Sequence, residues 1–451
     1  MKNKEKVWKY NYDDNNDLKE IIKKFSIYPK AASLLKNRGI LNEKDIIKFL
    51  FGGLWHLHNP FLFEDMQKAV IRIRKAIDAK ERILVYGDRD VDGISAVNII
   101  VYTLKKAGAN VWWYVPADEG CKIHKDILTQ YAEENVKLLI TVDCGIAANE
   151  EIEYAKTLGM DIIITDHHEP LHEGVPKSAL AIINPKLEGT KYPFKNIAGC
   201  AVALKTAQAF TYTYNKEYGK TILLFSYDKD EIGDFVLLCN DLIIEKGKYK
   251  RFDELKELIK KSFRIYTFDN NAIQTILKKD ILLKDKIIFC QIDNKDISSL
   301  ILEKEKISCN DSSMKEFFDN NMDLCALGTI ADAMPLIDEN RIIVKEGLKI
   351  LAQNPHRRQG LGLLIEDTLK AKHSYNITAN SLSWNVTPVL NSAGRMGRGM
   401  LAVQLLMTKD SFQAQNLYND IIKLNGERRI LQLENIGQFK YLLKEQCSPE
   451  T

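Results

Sequence analysis

The chain lacks most of the features that assign a protein quickly. It has eight cysteines in 451 residues, and no two are spaced as a CxxC pair. Cys200 in AGCAVAL, Cys239 in FVLLCN and Cys290 in KIIFCQI lie inside apolar runs. There a thiol acts as a small hydrophobe, not as half of a disulfide or a zinc ligand. Such usage fits a reducing cytoplasm. No run of about 20 apolar residues occurs, so no membrane-spanning helix is expected. The opening MKNKEKVWKYNYDDNND has no apolar core of a secretory signal. Net charge is only +3, so a polyanionic partner would have to be read from local patches. There is no Gly-rich phosphate loop and no GxSxG, which leaves nucleophilic side-chain catalysis without support. Repeats and low-complexity tracts are also missing.

What is there is a change of pattern along the chain. Residues 1–75 read as a helical N-terminal segment, with SIYPKAASLLKNRGI, NEKDIIKFLF and the start of HNPFLFEDMQKAVIRIRKAI at helical spacing. Over 76–215, short apolar runs (RILVYG, NVWWYVP, KLLITVDCG, DIIITDHH, AIINP) alternate with amphipathic helices. That alternation predicts an α/β fold, a parallel sheet flanked by helices. Residues 216–315 are richer in Lys, Asn and Asp and read as a folded α/β insertion. The pattern of 76–215 returns over 316–410, and 411–451 read as a long connecting helix at the C-terminal end.

Ligands of parallel sheets bind outside the carboxyl ends of the strands. Three strands here end in acids or imidazoles: VYGDRDVDG, ITVDCG and IITDHH. A single DxxG is ordinarily a surface turn, but three in one sheet are a pattern. On an extended chain alternate residues share a side, so Asp88, Asp90 and Asp92 are expected to aim three carboxylates one way. Unpaired, they would repel. Together with Asp143, Asp166, His167, His168 and Asp332 they form an oxygen-rich ligand set without thiolate. That suits Mn²⁺ or Mg²⁺ better than structural zinc, and several converging carboxylates can hold two ions about 3.5–4 Å apart. DRDVDG also opens like a calcium loop, but the twelfth position is Ile99, not Glu. The remaining histidines, His56, His58, His124, His172, His356 and His373, are dispersed and read as surface or packing.

The order GDRDVDG, TVDCG, TDHH, GTIADAMPL resembles the four motifs of the DHH phosphoesterase superfamily, and within it the RecJ family of bacterial single-strand exonucleases. The resemblance runs from about Tyr28 to about Gln446, interrupted by the insertion. It implies that Asp90, Asp143 and His167 ligate one ion and Asp92, Asp143 and Asp332 a second, with Asp88 assisting. It further implies that Asp166 orients its neighbour and that His168 meets the scissile phosphate. In SWNVTPVLNSAGRMGRG, Asn391, Gly394 and Arg395 would contact the strand, with Arg395 held by a turn at Gly394. The implied reaction is two-metal hydrolysis of single-stranded DNA from the 5′ end, in repair or recombination, with Asp143, His168 and Asp166 as catalytic residues.

Three departures stand against that implication. VPADEGCKIHKDIL replaces a stretch in which the family carries an arginine and an aromatic. Val389 stands in place of the family's arginine before Leu390 and Asn391. Nothing after Gly399 resembles the Gly-Gly-His of a DHH-associated domain or an OB-fold. Such a part would then come from a separate chain, or the partner would be a single-strand-binding protein. Two alternatives therefore stay open: a DHH phosphodiesterase of short oligonucleotides or cyclic dinucleotides, and a non-catalytic DHH scaffold. For strand contact, KGKYKRFDELKELIKKSFRIY (246–266) combines cations with aromatics. An amphipathic helix with inward phenylalanines is the favoured reading. NPHRRQG (354–360) reads as a basic loop.

Overall fold

The computed structural model describes residues 16–118, 123–226, 233–292, 296–372 and 376–446. Residues 119–122 of VPADEGCKIHKDIL, and His373, lie outside them. Five short strands, β1 (Arg82–Gly87), β2 (Asn110–Tyr114), β3 (Val136–Val142), β4 (Asp161–Thr165) and β5 (Ala181–Ile183), form one sheet in the order β2-β1-β3-β4-β5. Every pairing in it is parallel. The α/β fold class read from the sequence is the fold observed.

Strand alternation sorts the core. Ile83, Val85, Leu138, Ile140 and Ile163 face one apolar cluster, shared with the helices Met66–Asp78, Val91–Lys106, Gly199–Tyr212 and Ser312–Ala331. Leu84, Tyr86, Leu139, Ile162 and Ile164 face the other, under Lys125–Glu133 and Asn149–Thr157. Both faces are covered, which is why the strands read as unbroken apolar runs. Strand order reverses between β1 and β3, and a crevice opens at such a switch point beyond the strand ends.

The N-terminal segment contributes Asn16–Phe25, Pro29–Asn37 and Glu43–Phe51. Asn42 caps the third by accepting the Asp45 N–H at 2.8 Å. A buried ion pair ties the segment to the sheet layer. Lys205 and Glu339 are each 0% exposed and in contact. Lys205 Nζ donates to the His58 carbonyl at 2.6 Å, and Glu339 accepts the His58 N–H at 2.7 Å and the Tyr192 hydroxyl. Beside it, Asp338 accepts from Lys48 at 2.7 Å and contacts His58 at 2.9 Å.

The insertion is a second, mixed sheet: β6 (Thr221–Phe225), β7 (Gly233–Cys239), β8 (Leu242–Tyr249), β9 (Arg264–Thr267) and β10 (Ile287–Phe289), ordered β10-β9-β6-β7-β8. Apolar clusters line both of its faces. Lys304, 0% exposed, joins Glu217 at 2.9 Å and Asp241 at its base. The 246–266 stretch is not one amphipathic helix. It is the end of β8, two short helical turns (Phe252–Leu255, Lys256–Lys261) and β9. Tyr249, Phe252 and Tyr266 are buried, so they offer no stacking platform. NPHRRQG is likewise no free basic loop: Arg358 donates to buried Asp323 at 2.8 Å, and Arg357 to Asn320 at 3.0 Å. The C-terminal part ends in Gly399–Met407 and the 36-residue helix Ser411–Gln446.

Removing one partner of the Lys205–Glu339 pair leaves the other charge buried and uncompensated. We expect Glu339→Ala to destabilise the fold by about 3–5 kcal/mol in urea unfolding, and Lys205→Met with Glu339→Leu to recover most of that loss. A single substitution costing under about 1 kcal/mol would mean that the pair behaves as an exposed one.

Candidate metal centre

The carboxylates gather at the switch point, but not by the geometry expected from their spacing. β1 ends at Gly87, and the helix Val91–Lys106 begins almost at once. Asp90 is its N-cap and accepts the Gly93 N–H at 3.0 Å; Asp92 lies in its first turn. The expectation of three aspartates on an extended chain is therefore corrected. A strand end, a cap and a helical turn bring them together.

Asp92 is 1% exposed and accepts two amides from the start of another helix, Gly199 N–H at 2.7 Å and Cys200 N–H at 3.0 Å. A helix N-terminus favours an anion there. Asp143 follows β3 with φ +58°, a left-handed conformation uncommon outside glycine, asparagine and aspartate. Backbone strain of this kind collects at functional sites. Its carboxylate lies so close to Gly199 that a Cβ there would collide with Oδ1. A Cβ on Gly328 would sit 2.7 Å from Asp92 Oδ1. Glycine at these two positions makes room for the carboxylates.

Asp166 ends β4 and is 1% exposed. It accepts the N–H of Ile146 at 2.9 Å, of His167 at 2.7 Å and of His168 at 3.1 Å, and it holds His168 Nδ1 at 2.7 Å. It thus fixes the ring of His168, not that of His167. His167 Nε2 points to Asp143 Oδ1 at 3.3 Å and Asp332 Oδ2 at 3.7 Å. Asp332 ends the helix Ser312–Ala331.

The ligand-capable atoms of three groups lie within 4.8 Å of one another: Asp88, Asp90 and Asp143; Asp92, His167 and Asp332; Asp143, His167 and His168. His167 therefore sits with Asp92 and Asp332 as well as with Asp143. Asp143 Oδ1 and Asp332 Oδ2 are buried oxygens with no hydrogen-bond partner among the described residues. Among the described residues no lysine or arginine pairs with Asp92, Asp143 or Asp332. Burial, reinforced by Asp90 and Asp332, pushes the Asp92 carboxyl up to about 7. Burial, then Asp90, pushes Asp332 up to about 6, and burial with Asp92 and Asp90 raises Asp143 well above the carboxylate range. Burial, then His168, lowers His167 to about 4, leaving a neutral imidazole. The hydrogen bond to Asp166 raises His168 despite its burial. Oxygen-rich, cation-poor and holding a neutral imidazole, the cage fits divalent metal ions.

The other sequence-derived residues take less direct places. Asn391 Oδ1 accepts the Val91 N–H at 2.9 Å, so its carbonyl positions the aspartate loop and is not free for a strand. Gly394 forms no turn. It is buried inside the helix Thr387–Arg395, packed against the Arg89 backbone, and its carbonyl accepts from Arg89 at 3.2 Å. Arg395 is exposed at the end of that helix, with no partner among the described residues. Sequence reasoning missed Gly199 and Gly328. Their only signal was glycine inside otherwise apolar helical runs.

Residues 82–228 match the DHH family, N-terminal domain. The chain carries a DHH domain. It is 30% identical over 424 residues to the single-stranded-DNA-specific exonuclease RecJ of Bacillus subtilis, a match covering 94% of this chain and 40% of that protein. Against RecJ of Escherichia coli it is 25% identical over 405 residues, 89% of this chain and 53% of the relative. A crystal structure of RecJ from Thermus thermophilus in complex with Mn²⁺ superposes with TM-score 0.61 at 22% identity, over 96% of this chain and 47% of that one. A RecJ exonuclease bound to manganese gives 0.55 at 22% identity, over 84% and 70%. The RecJ likeness thus extends over most of this chain, which spans about half the length of the curated relatives, or less. Among the described residues no helix is long and apolar enough to cross a membrane.

Two outcomes are expected. Gly199→Ala should weaken Mn²⁺ binding at least about ten-fold by calorimetry, because the new methyl displaces Asp143. Gly437→Ala, with open space around it, should leave binding unchanged and stability equal or raised by up to ~1 kcal/mol. Carboxyls with raised native pKa values favour the metal-free fold below about pH 4 and lose that contribution as pH climbs through their native values. With Asp332 near 6 and Asp92 near 7, the rise in melting temperature on adding Mn²⁺ should grow between about pH 5.5 and 7.5. A shift independent of pH would refute the assignment of the cage.

Proposed function

We propose that the chain is a metal-dependent nuclease that hydrolyses single-stranded DNA from the 5′ end, in cytoplasmic DNA repair or recombination. The observation that carries this reading is the cage itself: carboxylates from three chain segments meet at the switch point, and among the described residues the buried Asp143 Oδ1 and Asp332 Oδ2 have no hydrogen-bond partner. A scaffold has no evident use for such charge. In this reading Asp88, Asp90 and Asp143 hold one Mn²⁺ or Mg²⁺, and Asp92, His167 and Asp332 a second. Asp143 lies beside His167 and between the two groups. Bound divalent ions would supply an activated water and neutralise charge on the phosphoryl group.

The chain's own residues do the rest. Asp166 anchors Nδ1 of His168, and that hydrogen bond favours the protonated imidazole, which would suit a phosphate oxygen. Arg395, with no partner among the described residues, offers the strand a second cationic group in addition to His168. Asp92, gripped by two helix amides, cannot swing away when the site empties. Asn391 fixes the loop that presents Asp88 and Asp90. The relatives named as single-stranded-DNA-specific exonucleases support the substrate class, and B. subtilis RecJ shares 30% of the aligned residues.

The test is a 5′-phosphorylated, 3′-labelled single strand incubated with the protein and Mn²⁺. Mononucleotide release from the 5′ end, abolished by Asp143→Ala, is the expected result. We expect Arg395→Ala to raise KM about ten-fold with kcat little changed, and His168→Ala to lower kcat by about two orders of magnitude or more. Protein that binds Mn²⁺ by calorimetry yet leaves the strand intact would sink the nuclease reading for this chain alone.

A further inference from the structure

At the far end of the helix Val91–Lys106 lies a second site of opposite character. Asp92 in the first turn and Lys105 in the last are 13 residues apart, about 20 Å along the axis. A cleft of about 540 Å³ there is lined by Lys105, Lys106, Arg357, Arg358 and Lys409, with no carboxylate among its lining residues. Glu316 pairs with Lys106 at 2.7 Å, and the single carboxylate of Asp323 is shared by Arg357 and Arg358. Among the described residues Lys105 and Lys409 have no carboxylate partner. Lys105 instead lies 4.1 Å from the centre of the Trp113 ring, and burial lowers its pKa. The cleft thus keeps surplus positive charge in a partly desolvated place, where an anion is bound most strongly.

Tyr102 and Lys106 also line a neighbouring chamber of about 230 Å³, mostly apolar, walled by Phe210, Tyr214 and Phe317. Each space contains a buried amide with an unused acceptor. Asn98 in the cleft is 1% exposed and Asn321 in the chamber 0%. Their Nδ2 groups donate to Ile94 and Phe317 carbonyls, both at 2.9 Å or less, whereas neither Oδ1 has a partner among the described residues. An unpaired buried acceptor is costly, and a ligand bringing an N–H or O–H would satisfy it.

We propose that cleft and chamber together bind a nucleoside phosphate whose base carries an amino group. The phosphate meets the lysines and arginines, the base stacks among the rings, and its amino group donates to Asn321 Oδ1. Ring faces, a cationic pocket and free acceptors are the three features such a ligand needs. The site does not depend on the nuclease reading, because none of its residues belongs to the metal cage.

The experiment is calorimetric titration of the full chain with AMP in chelator, so that the metal cage is not loaded. One AMP per chain is expected, with inorganic phosphate and adenosine each at least ten-fold weaker. Purine riboside 5′-monophosphate, which lacks the amino group, should bind several-fold more weakly than AMP. The double variant Lys105→Gln, Lys409→Gln should weaken AMP at least ten-fold, and Tyr214→Ala should weaken it while leaving phosphate unaffected. Both variants alter surface side chains and should keep the wild-type melting temperature and Mn²⁺ affinity. Absence of AMP binding would overturn the proposal. So would phosphate binding as tightly as AMP, which would mark a bare anion patch. AMP binding lost in Asp143→Ala but kept in the lysine variant would place the nucleotide at the cage and equally overturn it.

Discussion

Like charge held together partly out of water is the constraint on which this molecule turns. Asp88, Asp90, Asp92, Asp143 and Asp332 come from three separate parts of the chain and repel one another wherever they meet. Folding brings them together because the sheet beneath them is strongly stabilised, with two apolar faces and parallel pairing throughout. The devices around the cage restrain that repulsion. Two helix amides grip Asp92, a left-handed turn presents Asp143, and three backbone amides with an imidazole surround Asp166.

Buried charge is handled differently elsewhere. Lys205 with Glu339, and Lys304 with Glu217 and Asp241, are closed networks in which each buried cation finds its anion. The first ties the N-terminal segment to the central layer through His58, and the second lies within the insertion. The contrast between paired charge at the seams and unpaired charge at the crevice separates architecture from chemistry in this chain, since a closed pair has no capacity left for a ligand.

Much of this was legible in the sequence, for physical reasons. Strands buried on both faces leave apolar runs, and Asp or His at their ends marks the crevice, so Asp143, Asp166, His167 and the 88–92 loop could be picked out. Asp332, at the end of a helix, carried no strand-end signal of its own. The geometry of the loop was not legible, because DRDVDG fits an extended chain as well as a helix cap. Only the amide of Gly93, donating to Asp90, decides between them. The roles of Asn391 and Gly394 were obscured because their partners, Val91 and Arg89, lie about 300 residues away in sequence. The 246–266 stretch misled because lysines with interspersed aromatics fit a helix face and a strand-turn-strand passage alike.

The left-handed backbone at Asp143 limits how its position can change over time. Most side chains would add strain there, but asparagine tolerates the conformation nearly as well as aspartate. A single codon step from Asp to Asn would keep the turn, the sheet and the packing while removing the central negative charge. A lineage could thus silence the cage without disturbing the fold, and later regain it by the same step. The strained residue is both the keystone of the site and its most reversible point of loss.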